Sequence, residues 1–131
     1  MIPKPALAFL ASATASALIW VLSPLLTGHT EPWDADGQFY FSALVLAGLC
    51  AGALIPRSLH MHYLGAVAGQ LGYELWLGNV GALFLLGAVF LLIYSTIFVA
   101  AAMLASGLRI WIGERSSDAS SSRSDTDNES P

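Results

Sequence analysis

The side chains best suited to chemistry lie in one apolar stretch of the chain. Glu74 and Gln70 are four residues apart, so a helix would place them on one face, one turn apart. A carboxylate in an apolar segment is a candidate for binding a proton or a substrate, because burying an unpaired charge is unfavourable. Gln70 could hold the substrate or a water molecule beside it. The alternative is structural: Glu74 lies near the end of its segment and could extend to a polar interface beside Trp76.

An acidic loop is the second candidate site. Glu31, Asp34 and Asp36 could hold a hard cation, because such ions prefer carboxylate oxygens. The other ligand positions of a calcium loop are missing, since the aromatic run from Phe39 follows directly. The same acidic residues would also suit a loop exposed to water. The sequence predicts no cofactor, and the single cysteine, Cys50, excludes a multi-cysteine metal site.

Two glycine motifs predict close helix packing. Gly48 and Gly52 form one G-x-x-x-G motif, and Gly65 and Gly69 form another. Glycines four apart on a helix let two backbones approach closely. The motifs lie at equal distances from a turn at residues 56–58, so an antiparallel hairpin would bring Gly48 level with Gly69 and Gly52 level with Gly65. We therefore predict that the second and third helices form a close-packed hairpin.

The elements that would carry these residues follow from composition. The chain has 131 residues, of which 56% are hydrophobic and 11% charged, whereas a soluble domain carries about 25% charged residues. Only Glu31, Asp34, Asp36, Arg57 and Glu74 are charged between Pro5 and Leu108. Such a stretch cannot cover a water-exposed surface with polar groups, so the composition predicts a membrane protein.

The apolar residues form separable segments of helical length. A helix needs about 20 residues to cross the hydrocarbon core of a bilayer. Backbone polar groups must also be paired inside lipid, which favours helices. The sequence therefore predicts an all-α integral membrane domain over residues 1–108 with four transmembrane helices, at about residues 6–26, 39–55, 59–77 and 80–108.

Charge and composition predict the orientation and a separate tail. Four spans would place every basic residue on one side and the acidic loop on the other, which is the pattern of cytoplasmic termini in a cell membrane. These basic residues are Lys4, Arg57, Arg109, Arg115 and Arg123. Residues 109–131 are rich in Ser and Asp, so a disordered cytoplasmic tail is expected.

Two functions remain open. The first is an accessory, scaffold or assembly subunit of a larger membrane complex, favoured by the small-residue packing faces. The second is an oligomeric small transporter or channel that uses Glu74 and Gln70 within the membrane. Both predict the lipid bilayer and either other membrane subunits or further copies of the chain as partners. No nucleophile–base arrangement indicates an enzyme, and no basic patch with aromatic residues indicates nucleic-acid binding.

Overall fold

The computed structural model is all-helical over the residues that it describes, namely 2–35, 37–78, 81 and 83–128, with side chains described as far as residue 117. The helices are α1 (Lys4–Thr27), α2 (Gln38–Leu54), α3 (Leu59–Trp76) and α4 (Phe84–Asn128). Gly28 ends α1 in the left-handed conformation, with φ of 77°, and its amide donates to the Pro24 carbonyl. Glycine adopts this conformation without the steric penalty that a Cβ atom brings.

The first three helices match the predicted segments to within two residues at each end. Two helical segments, Lys4–Thr27 and Phe84–Ser117, are long and apolar enough to cross a membrane, and α2 is a shorter apolar helix of 17 residues. The agreement arises because the apolar runs end at turn-forming residues, among them Gly28 and Pro56.

The helices form a ring in the order α1, α3, α4, α2. The two tightest pairs are α1 with α3 and α2 with α4, whereas α2 and α3 lie diagonally across the ring and barely touch. Each tight pair is parallel, because contacts in both advance along the two helices in the same direction. The antiparallel neighbours, α1 with α2 and α3 with α4, pack less closely. We call the end with the 55–58 turn the turn end, and the end with the 28–37 loop the loop end.

The predicted hairpin between the two glycine motifs is therefore wrong. A Cβ atom at Gly48 would clash with the Phe98 carbonyl oxygen, and one at Gly52 with that of Ala102, so this motif contacts α4. Gly65 and Gly69 contact α1 instead, at the backbone of Phe9 and Ala13. The equal spacing from the turn concerns only the height of the two motifs along their helices. The spacing could not predict which neighbouring helix each glycine motif faces, and the two motifs face different helices.

Hydrogen bonds close the last turn of α2 at the turn end. The carbonyl groups at the end of a helix run out of amide donors within that helix. At the end of α2 these are the carbonyls of residues 51–55. They accept hydrogen bonds from the Ile55 amide (3.0 Å), Ser106 Oγ (3.0 Å), Arg109 Nη1 and His62 Nε2 (2.8 Å). A positive charge at Arg109 also complements the negative end of the helix dipole.

His62 connects three helices at this end. Its side chain is 0% exposed. Because Nε2 donates to the Ile55 carbonyl, Nδ1 is the acceptor, and the Ser12 hydroxyl of α1 donates to it at 2.7 Å. The Ser16 hydroxyl in turn donates to the Ser12 carbonyl. His62 therefore satisfies polar groups of α1 and α2 from a position on α3.

Helix α4 continues beyond the bundle. It runs to Asn128 and so covers most of the segment for which composition predicts disorder. Once an apolar helix has formed, adding residues to its end is far less unfavourable than starting a new one, which accounts for the extension. Residues 129–131 lie outside the described part of the chain. Disorder of the tail in solution stays a prediction.

Candidate functional site

A buried polar layer crosses the middle of the bundle. Gln70 on α3 is 0% exposed, and its carbonyl oxygen accepts a hydrogen bond from the Tyr40 hydroxyl of α2. Its amide donates to Ser95 Oγ of α4 at 3.1 Å and to the Ala66 carbonyl at 3.1 Å. Ser95 donates in turn to the Leu91 carbonyl at 2.7 Å. The amide of Gln70 is thus occupied by groups of the chain itself.

Glu74 lies one turn from Gln70 toward the loop end and has a different environment. Its side chain is only 7% exposed, whereas Trp76, two residues on, is 78% exposed. The carboxylate is therefore inside the bundle and does not extend to the surface beside Trp76. Glu74 makes no hydrogen bond with the described residues, and its Oε2 atom is fully buried without a partner. An unpaired buried carboxylate is strongly unfavourable unless something compensates its charge.

The carboxylate lies in the wall of a cavity of about 490 Å³, which we call the loop-end cavity. Its lining includes the two acidic residues Glu31 and Glu74 and the aromatic residues Trp33, Phe84, Phe90 and Tyr94. Gly87 of α4 provides room in it. A Cβ atom at that position would lie 3.7 Å from Glu74 Oε1 and 3.8 Å from Trp33 Cη2. Glu74 and the Trp33 ring therefore meet over the same glycine.

A cluster of rings holds the Trp33 side chain in place. The Trp33 indole N–H donates to Glu31 Oε2 at 2.7 Å. Its ring packs edge to face on Trp20, with centroids 4.8 Å apart, and on Tyr40, 6.2 Å away. Tyr40 also packs on Tyr94, at 4.9 Å. Such perpendicular arrangements are the favoured geometry of aromatic pairs. The cavity wall is thus fixed by contacts within the protein.

The structure separates the residues that the sequence grouped together. Glu74 and Gln70 share a face of α3, as expected, but only Glu74 lines the loop-end cavity. Of the acidic loop, Glu31 lines that cavity, Asp34 is exposed, and Asp36 lies outside the described residues. Within the described part of the chain, no group of three His, Cys, Asp or Glu side chains could hold a metal ion.

Four residues of the site were missed by sequence reasoning: Trp33, Tyr40, Gly87 and Ser95. Ser95 donates to the Leu91 carbonyl of its own helix and also accepts a hydrogen bond from Gln70 of α3. One feature of the sequence could have pointed to two of these residues. Gly87 and Ser95 are eight residues apart, which places them near one face of α4.

Comparison with protein-family models, with curated proteins and with solved structures finds no match for this chain.

Proposed function

We propose that this chain is a small multi-pass membrane protein that binds a positively charged solute at Glu74 and transports it as an oligomer. In this proposal the four helices all cross the bilayer of a cell membrane, the turn end faces the cytoplasm with both termini, and the loop end faces outward. The cavity is then the entry site on the outer side.

The charge distribution along the bundle supports this arrangement. Lys4, Arg57 and Arg109 line one cleft at the turn end. The described acidic loop residues, Glu31 and Asp34, are at the loop end. An excess of basic residues on one side marks the cytoplasmic side of membrane proteins. Two helices of membrane-spanning length and apolarity add to that support.

The observation that carries the proposal is the buried, unpartnered carboxylate of Glu74. A protein without a ligand for this group gains nothing from it, because an unpaired buried charge destabilises the fold. Among the described lining residues of the cavity there is no Lys, Arg or His that could neutralise it. A cation in the loop-end cavity would supply the missing charge, and Glu31 would strengthen its attraction.

Transport toward the turn end would require the buried polar layer next to the cavity to open. The hydrogen-bonded layer of Tyr40, Gln70 and Ser95 lies on the turn-end side of Glu74, and Phe98 is buried about one helical turn beyond Ser95. A solute leaving the cavity toward the cytoplasm must therefore wait for this layer to open. Four helices alone rarely enclose a path, so assembly with further copies belongs to the proposal.

The accessory-subunit role is less well supported. It was favoured by glycine faces that could receive another subunit. Both glycine motifs are occupied within the chain, since Gly48 and Gly52 contact α4 while Gly65 and Gly69 contact α1. The faces that remain exposed carry large apolar side chains, as any lipid-facing helix does.

The test is cation flux through the purified protein in liposomes. Current is recorded on a supported membrane after jumps to sodium chloride, potassium chloride or tetraethylammonium chloride. We expect at least one of these cations to give a current in the wild type and Glu74→Gln to reduce it by about tenfold or more, because the variant keeps the shape and removes the charge.

The matched control is Glu114→Gln, which removes a carboxylate from the exposed surface of α4. This variant should carry the wild-type current. The proposal is wrong if no cation gives a current in the wild type, or if Glu74→Gln and Glu114→Gln behave alike. Co-purification with unrelated membrane subunits, together with an absence of current, would favour the accessory role.

A further inference from the structure

The walls of the loop-end cavity indicate what kind of cation fits. This inference rests on the proposed function, since it names the class of solute that Glu74 would bind. The lining combines two carboxylates with four aromatic rings, and the other described lining residues are glycine and leucine. The two carboxylates favour a positively charged ligand, and most of its surface would contact apolar groups.

A bare metal ion does not suit this lining. Hard cations need about six or more oxygen ligands, and the described lining offers two carboxylates and one phenol. A metal ion entering the cavity would lose water molecules from its hydration shell. The aromatic and leucine side chains offer no oxygen ligands to replace them. The volume of about 490 Å³ falls in the range of pockets that hold small organic molecules.

The aromatic rings suit an organic cation. The face of a tryptophan or tyrosine ring attracts ammonium groups, most strongly where water is excluded. Trp33 is held by its hydrogen bond to Glu31 and by its packing on Trp20, so little ordering is needed when a ligand arrives. Because Glu74 Oε1 and the Trp33 ring both approach Gly87, an ammonium group over Gly87 would contact both.

We propose that the loop-end cavity binds a hydrophobic organic cation, a tertiary or quaternary ammonium compound. The ammonium centre lies over Gly87 between the Glu74 carboxylate and the Trp33 ring. The apolar substituents of the ligand pack on Phe84 and Phe90. Tyr94 completes the wall next to the polar layer.

Binding is measured by calorimetry on the purified protein in detergent, with benzyltrimethylammonium chloride as the probe and empty micelles as the blank. Sodium chloride at equal ionic strength tests for an inorganic cation, and benzyl alcohol tests for binding by the apolar surface alone. We expect saturable binding of benzyltrimethylammonium only, reduced by about tenfold or more in Glu74→Gln.

A second variant tests the cavity without altering any charge. At Gly87 a Cβ atom would be in ordinary contact with its neighbours, so Gly87→Leu can fold while its side chain fills the space for the ammonium group. The matched control is Gly107→Leu on the same helix, where the added Cβ has, apart from the adjoining part of its own helix, no neighbour within 4 Å in the described part of the chain. We expect Gly87→Leu to weaken binding by about tenfold or more and Gly107→Leu to bind as the wild type does. Melting curves of both variants confirm folding.

The outcomes separate this inference from the proposed function. If Glu74-dependent sodium or potassium current is found but benzyltrimethylammonium does not bind, the site takes inorganic cations and this inference is wrong. Equal binding by Gly87→Leu and Gly107→Leu would place the organic cation elsewhere and also overturn it. If no cation gives a current and none binds, both proposals fail.

Discussion

The two ends of the bundle differ in whether their buried polar groups have hydrogen-bond partners. At the turn end, the carbonyls of residues 51–55 all have hydrogen-bond donors, and His62 uses both ring nitrogens. At the loop end, Glu74 Oε2 is buried without a partner. The Trp20 indole nitrogen, which lies near the Tyr40 hydroxyl, is the only other such atom among the described residues.

This difference shows where the fold gains stability and where it gives stability up. A satisfied buried network holds helices in one arrangement, whereas an unsatisfied group destabilises the protein and persists where function needs it. The turn end is therefore the structural half of the molecule. The loop end, with its cavity and its uncompensated carboxylate, is the half that we assign to ligand binding.

The largest effect on stability should come from the close contact between α3 and α1. In Gly69→Ala the new Cβ would clash with the Ala13 carbonyl, and forcing the two helices apart should lower the free energy of unfolding by about 2–3 kcal/mol. The measurement is reversible unfolding in mixtures of mild detergent and dodecyl sulfate.

Gly72→Ala on the same helix is the control for that contact. Apart from the adjoining part of α3 itself, no described residue lies within 4 Å of a Cβ at Gly72, so this variant should be stabilised by up to about 1 kcal/mol through helix propensity. Equal effects of the two substitutions would show that the α1–α3 contact is not close.

A smaller loss is expected from the buried histidine. In His62→Phe, the Ile55 carbonyl and the Ser12 hydroxyl lose their partner, which should lower the free energy of unfolding by about 1–2 kcal/mol. His60→Phe, at an exposed position two residues away, should change stability little. A result in which both variants are equally stable would remove His62 from the structural network.

The sequence was sufficient to predict the bounds of the first three helices but neither the length of α4 nor which helices pack together. Helix bounds follow from the length of apolar runs and from the turn residues between them, which are local properties. The contact of Gly48 and Gly52 with α4 depends on how the helices are arranged around the ring. The equal spacing of the two motifs from the turn is compatible with any rotation of the helices about their axes. It therefore cannot predict which helix each motif contacts.

The residues of the candidate site were likewise only partly predictable from the sequence. Glu74 was predicted because a charge in an apolar segment is conspicuous without any structure. Gly87 and Trp33 became visible only when the fold brought α4 and the 28–37 loop to the same carboxylate. Nothing in the sequence links His62 to Ser12, which lies fifty residues earlier.

The central claim is that Glu74 is kept for binding and not for stability. The direct test compares the free energies of unfolding of the wild type and Glu74→Gln in ligand-free detergent. Since the variant removes a buried carboxyl group whose Oε2 atom has no hydrogen-bond partner, we predict a free energy that is unchanged within about 0.5 kcal/mol or higher than that of the wild type. A loss comparable to that of His62→Phe would contradict the account, because Glu74 would then stabilise the bundle as a structural group.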